Sequence, residues 1–187
     1  MEHQAVIHPL TQLELDDLVR IASGYSSHNQ YVVAHLDTPT AVSFEMELVT
    51  LTEPYIKKYK HEPDDFVRYQ TCLKENYSFG AYVDEELIGI LICEPHHWNQ
   101  SLWVYEYHVA EGFRNLGIGR NLMDALVEKG EGENFRTIVC ETQNTNVPAI
   151  SVYRKLGFQV AGIDISYYSN YDYPDGEVAV FMKRELL

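Results

Sequence analysis

Trp103-Val104-Tyr105-Glu106-Tyr107-His108-Val109 is a β-branched and aromatic run that stops at a polar turn, and Arg114-Asn115-Leu116-Gly117-Ile118-Gly119-Arg120 follows it. An amphipathic helical pattern begins at once, with Leu122, Met123, Leu126 and Val127 on its apolar side. Strand, short glycine-bearing loop and helix entrance are the parts of an anion site. The first helical turn has N–H groups with no intrahelical acceptor, and the helix dipole favours negative charge there. Gly117 and Gly119 carry no Cβ, so a phosphate can come close to the main chain. Arg114 and Arg120 can add charge-assisted contacts. The stretch therefore predicts a pyrophosphate cradle. It is neither the G-x-G-x-x-G of dinucleotide folds nor the G-x-x-x-x-G-K-[ST] of P-loops.

Working outward, Thr137-Ile138-Val139-Cys140-Glu141-Thr142 reads as a buried strand ending in the polar loop Gln143-Asn144-Thr145-Asn146. Pro148 lies near a helix start, where its missing N–H costs little. The helix carries Ala149, Ile150, Val152, Tyr153 and Leu156, closes at Gly157, and Phe158 opens the next strand.

The pattern R-x-x-G-x-G after a strand resembles the acetyl-CoA loop of the GNAT superfamily of N-acyltransferases. Asn146-x-x-Ala149-x-x-x-Tyr153-x-x-Leu156-Gly157-Phe158 resembles the second signature of that superfamily, in the same order and spacing. The likeness covers at least residues 79 to 166. Three further segments are similar to streptothricin acetyltransferases, which modify an amine of a cationic antibiotic. They are Glu53-Pro54-Tyr55-Ile56-Lys57-Lys58-Tyr59, Glu141-Thr142-Gln143-Asn144, and Tyr167-Tyr168-Ser169-Asn170-Tyr171 with Ala179-Val180-Phe181. The sequence departs from those enzymes before the phosphate loop and around His96-His97-Trp98.

The resemblance implies a mixed α/β fold: a single GNAT-type domain over residues 1–187, with a central, mostly antiparallel sheet of about seven strands flanked by helices. It implies central strands that splay apart to admit the pantetheine arm, and acetyl-CoA as co-substrate. It places Val109, Arg114, Asn115, Leu116, Gly117, Ile118, Gly119 and Arg120 on the coenzyme, with a main-chain N–H near Val109 as oxyanion donor. Asn146 is expected either on the pantetheine arm or as a helix cap. Tyr153 sits where many of these enzymes keep a tyrosine near the thioester sulfur, and is the candidate general acid. Glu106, a charge in an otherwise apolar strand, is the candidate base, acting directly or through a water. Glu141 on the neighbouring strand is its rival, or a binder of a cationic group. His108 is assigned to the face opposite Glu106 and to a structural role. Tyr167, Tyr168, Tyr171 and Tyr173 could form an acceptor pocket with cation–π character or simply an aromatic strand and turn.

The 187 residues suit one domain with a sizeable core, and no linker, low-complexity run or repeat divides them. A formal charge of −14 argues against a nucleic-acid partner and suits a cationic substrate. Cys72, Cys93 and Cys140 show no metal or disulfide spacing, Cys93 and Cys140 fall in core-like strand patterns, and His96-His97 has no matching ligand cluster, so no metal is expected. No secretory pattern or membrane-length apolar run is present, which points to the cytoplasm and away from a membrane. A homodimer stays open. The expected function is acetyl transfer to an amine of a small-molecule cationic acceptor of the streptothricin type. Polyamines, amino acids, protein N-termini and a non-catalytic coenzyme-binding role are the alternatives.

The remaining elements read as follows. Ala5–Leu10 is a first strand, and Thr11 caps a helix through about Ala22. Residues 24–29 form a loop. Residues 42–52 make a long strand with Val42, Phe44, Met46, Leu48 and Thr50 on one face. Asp64 or Asp65 caps a helix with Phe66, Val67, Tyr69, Cys72 and Leu73. Phe79–Val83 and Leu87–Cys93 form a hairpin, and Glu177–Arg184 is the last strand.

Overall fold

The computed structural model describes residues 5–186. They group into two compact units. The first comprises the chain through Ser23, Tyr59–Val139 and the residues from Arg184 on; the second comprises Gly24–Lys58 and Cys140–Lys183.

The first unit contains β1 (Val6–Pro9), α1 (Leu15–Ile21), α2 (Pro63–Leu73), β4 (Phe79–Val83), β5 (Glu86–His96), β6 (Ser101–Val109), a 3-10 turn (Glu111–Phe113) and α3 (Ile118–Gly132), in a chain whose β2 (Gly24–Thr38) and β3 (Ala41–Lys58) belong to the second unit. Strands run in the order β1-β4-β5-β6, each antiparallel to the next, and continue into β7 (Thr137–Gln143), whose first three residues belong here. β5 is buried along Leu87–Cys93 because helices cover it, so it reads as a continuous apolar run rather than an alternating one. Leu10, Leu13, Leu18, Ile21, Tyr69, Leu73, Ile90 and Ile92 form one core cluster. α3 buries Leu122, Met123, Leu126 and Val127 on one stripe, as its periodicity predicts.

The second unit holds the rest of β7, α4 (Val147–Lys155), β8 (Gln159–Asp164) and β9 (Ala179–Glu185) as far as Lys183, in the sheet order β7-β9-β8. The main sheet thus has seven strands and is mostly antiparallel, as expected. β2 and β3 form a separate two-stranded antiparallel ribbon, registered from Gly24↔Lys58 to Thr38↔Ala41 with a shift between Ser27 and Asn29.

Three local expectations are corrected, and the strand expected over residues 42–52 is found within β3. Thr11 caps nothing: α1 starts at Leu15 with Glu14 at the N-cap, because buried Leu10 and Leu13 hold the intervening chain extended against the core. α2 starts at Pro63 with Glu62 at the N-cap, so Asp64 and Asp65 lie inside the first turn, where the dipole favours them. Residues 24–29 are strand: their polar side chains carry little strand preference, and pairing with Tyr55–Lys58 imposes the conformation. The alternating face of residues 42–52 is not a core face. Val42 is 62% exposed, Phe44 42% and Leu48 51%, because their strand belongs to the ribbon and not to the main sheet.

Candidate active site

In the first unit, β6 delivers the chain to the predicted anion loop. Asn115 and Gly117 both take left-handed backbone, with φ +64° and +82°. Gly117 is the N-cap of α3, and no side chain caps that terminus. Ile118 turns into the core and anchors the helix, while Leu116 and Arg120 face outward. A Cβ on Gly119 would stand 2.8 Å from the Tyr107 hydroxyl, so a larger residue there would have to displace the Tyr107 side chain. Arg114 Nε donates to the Val109 carbonyl at 3.0 Å, which ties the loop back to the end of β6. The loop is accordingly a glycine-lined helix entrance with the chemistry to receive a diphosphate.

Glu106 lies in the same strand, with its side chain 13% exposed. Tyr69 Oη donates to its Oε1 at 2.5 Å, and His108 Nε2 lies 2.5 Å from its Oε2. Burial alone would raise this carboxyl; the bond from His108, the charges of His108 and His61, and the Tyr69 bond together hold it below the usual range. His108 is therefore on the same face as Glu106, not the opposite one. Residues two apart on a strand share a face, and Tyr107 is the one that turns away. The Tyr59 ring meets the His108 ring edge-on, with centroids 5.5 Å apart.

In the second unit, Glu141 has the opposite electrostatics. Burial pushes its carboxyl up to about 7, against the lowering effect of the Tyr168 hydroxyl and the Lys57 charge; Glu177 adds to the rise. Tyr168 Oη donates to Glu141 Oε1, and Lys57 Nζ sits 5.9 Å from the Tyr168 ring centroid. Glu177 is ion-paired with Lys57 through its Oε2. Its Oε1 accepts from Thr145 Oγ1 at 2.7 Å, Tyr55 Oη at 3.0 Å and Tyr25 Oη at 3.1 Å. Burial would raise Glu177 too, but Lys57 and these donors hold it low. The cluster thus contains two carboxyls, one cation and three phenols.

Tyr153 is 7% exposed, packs its ring against Phe158 at 5.5 Å, and hydrogen-bonds with the Cys140 thiol, which burial pushes well up. Asn146 accepts from the Ala149 N–H at 3.2 Å, so its side chain caps α4.

A family model described as the acetyltransferase (GNAT) family matches residues 45–158. The chain belongs to the GNAT acetyltransferase family. It is an acetyl-CoA-dependent N-acetyltransferase. The streptothricin acetyltransferase of Escherichia coli is 26% identical over 163 residues, covering 87% of this chain and 89% of that one. That of Streptomyces lavendulae is 37% identical over 103 residues, which is 53% of this chain and 52% of the relative. Among solved structures, a nourseothricin acetyltransferase is 27% identical with a TM-score of 0.72, covering 98% of this chain and 99% of that one. A Bacillus anthracis str. Ames structure in complex with acetyl coenzyme A shares the fold (TM-score 0.74, 21% identity, 98% and 99% covered).

Within this GNAT fold, sequence reasoning missed several residues. Tyr25, Lys57, Thr145 and Glu177 come together with Glu141 and Tyr168 only through the ribbon and the approach to β9. The one signal was the segment Glu53–Tyr59, quoted for its resemblance but given no role. Asn144 was also unassigned; its side chain donates to the Tyr31 carbonyl at 2.7 Å and accepts from the Val178 N–H at 2.9 Å. Of the tyrosine group, Tyr167 stacks edge-on with Tyr168 and Phe181, Tyr171 is 89% exposed, and Tyr173 accepts from the His35 N–H. His96 stacks on Trp103, and among the described residues no group of three or more His, Cys, Asp or Glu could hold a metal. Among those residues, too, no helix is long and apolar enough to cross a membrane.

Proposed function

We propose that this GNAT enzyme acetylates an amine of a small, positively charged acceptor, with a streptothricin-type antibiotic as the specific substrate and the reducing cytoplasm as its place of action. The carrying observation is Glu141: a buried carboxyl near neutrality, bonded to Tyr168, in a cluster whose second carboxyl is already matched by Lys57. A group poised near 7 can take the proton of an incoming ammonium and release it again. An ammonium beside Glu141 also compensates the charge that burial penalises. Glu106 is the weaker base, because both of its oxygens already have partners and its carboxyl is held low. The relatives named above support the antibiotic as acceptor.

The choice of base follows from these differences, and the other roles are those that the GNAT resemblance implies. Main-chain N–H groups at the start of α3, with Arg114 and Arg120, grip the coenzyme diphosphate, and acetyl-CoA supplies the acyl group as a thioester. Glu141 removes the ammonium proton, and the neutral nitrogen then attacks the acyl carbonyl. A main-chain N–H near Val109 stabilises the oxyanion. Collapse of the adduct breaks the C–S bond as the carbonyl re-forms; Tyr153, its ring packed against Phe158, gives its proton to the departing thiolate, and the second nitrogen proton of the adduct restores the phenol.

Purified protein given acetyl-CoA and streptothricin should release free coenzyme thiol and yield antibiotic heavier by one acetyl group in mass spectrometry. Spermidine, lysine and a short peptide serve as comparison acceptors. Turnover of the peptide at a higher kcat/KM than streptothricin would overturn the acceptor assignment, and acetyl-CoA binding without turnover of any amine would overturn the catalytic roles.

A further inference from the structure

Glu177, just ahead of β9, is held by hydroxyls from three separate segments of the second unit. Its Oε1 accepts from Tyr25 on β2, Tyr55 on β3 and Thr145 in the loop after β7, and the Tyr25 and Thr145 hydroxyls also bond each other at 2.6 Å. Its Oε2 takes the Lys57 ammonium, the one cation paired with this carboxylate among the described residues. The same ammonium lies 5.9 Å from the centroid of the Tyr168 ring, within cation–π range. A carboxylate fixed by hydroxyls and flanked by an aromatic ring is a recognition unit for a primary ammonium. Its present occupant is a residue of this chain. Lys57 is not sealed in: the two paired side chains are 27% and 21% exposed, so solvent reaches the position. Glu141 stands in the same cluster, bonded to Tyr168, and has no ion-pair partner among the described residues. Two carboxylates and one cation leave one positive charge to be supplied from outside.

We propose that Glu177, Tyr25, Tyr55, Thr145 and the Tyr168 ring form an alkylammonium subsite that Lys57 fills as an internal ligand, so that Lys57 limits the acceptor to one ammonium within the cluster. The subsite stands on contacts within the second unit. The limit on the acceptor rests on Glu141 as the residue that meets the reacting amine. Oε1 of Glu177 already carries three donors, so a second ammonium must use Oε2, where Lys57 sits. Tethering gives Lys57 a high effective concentration, and a diffusing amine competes poorly against it. An acceptor ammonium near Glu177 also meets the like charge of Lys57 in a half-buried setting, where repulsion is screened less than in water. An acceptor with two ammoniums close together therefore gains nothing from the second. Removing the Lys57 charge converts the same pocket into one that prefers it. A partly exposed pair of this kind adds little to stability, so the subsite can be opened without unfolding the chain.

Two measurements on the full chain at pH 8, where both carboxyls are ionised, test this. Lys57→Ala removes a propylammonium fragment. Propylammonium chloride should raise the Tm of that variant saturably, by roughly 2–4 °C, whereas tetramethylammonium chloride at the same ionic strength should not. The wild type and the Lys57→Ala/Glu177→Gln double variant should respond to neither salt. In the second measurement, unbranched diamines of three to six carbons are compared with amino alcohols of the same length as inhibitors of acceptor turnover. In the wild type no diamine should inhibit better than its amino alcohol. In Lys57→Met the best diamine should do so by roughly tenfold, the scale of one partly screened charge pair, and adding Glu177→Gln should return it to parity. Lys57→Arg should behave as the wild type. Propylammonium that stabilises the wild type as much as Lys57→Ala, or that stabilises neither, would overturn the subsite. A wild-type preference for a diamine, or no gain in Lys57→Met, would overturn the limit on the acceptor. Absence of turnover with every amine would remove the Glu141 reading and with it that limit, while the Tm measurement alone decides the subsite.

Discussion

Replacing Glu141 by Gln should make this enzyme more stable and less active, and the stability gain should depend on pH. The Glu141 carboxyl ionises near 4.5 in the unfolded chain and near 7 in the folded one. Below 4.5 both states are protonated and the residue contributes no difference. Between 4.5 and 7 the unfolded chain has lost its proton while the folded protein keeps it, so stability falls as pH rises. Above 7 the full displacement opposes folding, at about 3 kcal/mol by the usual conversion. Glutamine keeps the shape and an oxygen to accept from Tyr168, but never ionises. At pH 8 the variant should therefore gain up to about 3 kcal/mol, or roughly 6–12 °C in Tm for a chain of this size. At pH 4.5 its Tm should match the wild type. Urea unfolding at both pH values measures the difference directly. Wild-type kcat/KM should rise with pH through a limb near 7, and that limb should vanish in the variant along with most of the rate. A stability gain equal at pH 4.5 and pH 8, or no gain at either, would refute the argument that burial strains this carboxyl.

Other perturbations separate the remaining roles. Gly117→Ala forces a Cβ onto φ +82° and should cost about 1–2 kcal/mol of stability while raising the coenzyme Kd measured by calorimetry. Tyr153→Phe should preserve the fold, because the ring and its contact with Phe158 persist, yet lower kcat at least tenfold with little change in acetyl-CoA affinity. Glu106→Gln disturbs the hydrogen bonds that Tyr69 and His108 make to the buried carboxylate and should destabilise the protein by roughly 1–3 kcal/mol. Because the Glu106 carboxyl is held low, its stabilisation is present above its ordinary range and is lost as pH falls through the folded value, so wild type and variant should converge in acid unfolding below pH 4.5.

Local signals were legible where the physics is local. The helix entrance at Gly117 and Gly119, the apolar stripe of α3, the cap at Asn146 and the strand Thr137–Gln143 depend on residues within one or two turns of each other. The start of α1 was misjudged because Thr11 is a good cap in isolation, while buried Leu10 and Leu13 decide where the chain may coil. The shared face of Glu106 and His108 is in the sequence, since residues two apart on a strand point the same way. The ribbon was legible in one strand only: residues 42–52 alternate as a strand and lie in β3, whereas residues 24–29 become a strand only by pairing with residues 21 to 34 positions away.

The sequence by itself determined the family, the anion loop and the two candidate carboxylates, because a glycine-bearing helix entrance and a charge in an apolar strand are written in neighbouring residues. Only the tertiary structure decided how those carboxylates differ. Glu106 meets Tyr69 and His108 and is held ionised, whereas Glu141 meets Tyr168 under burial that Lys57 only partly offsets. An ionisation equilibrium is set by desolvation and by charges brought close in space, and neither can be counted along a chain.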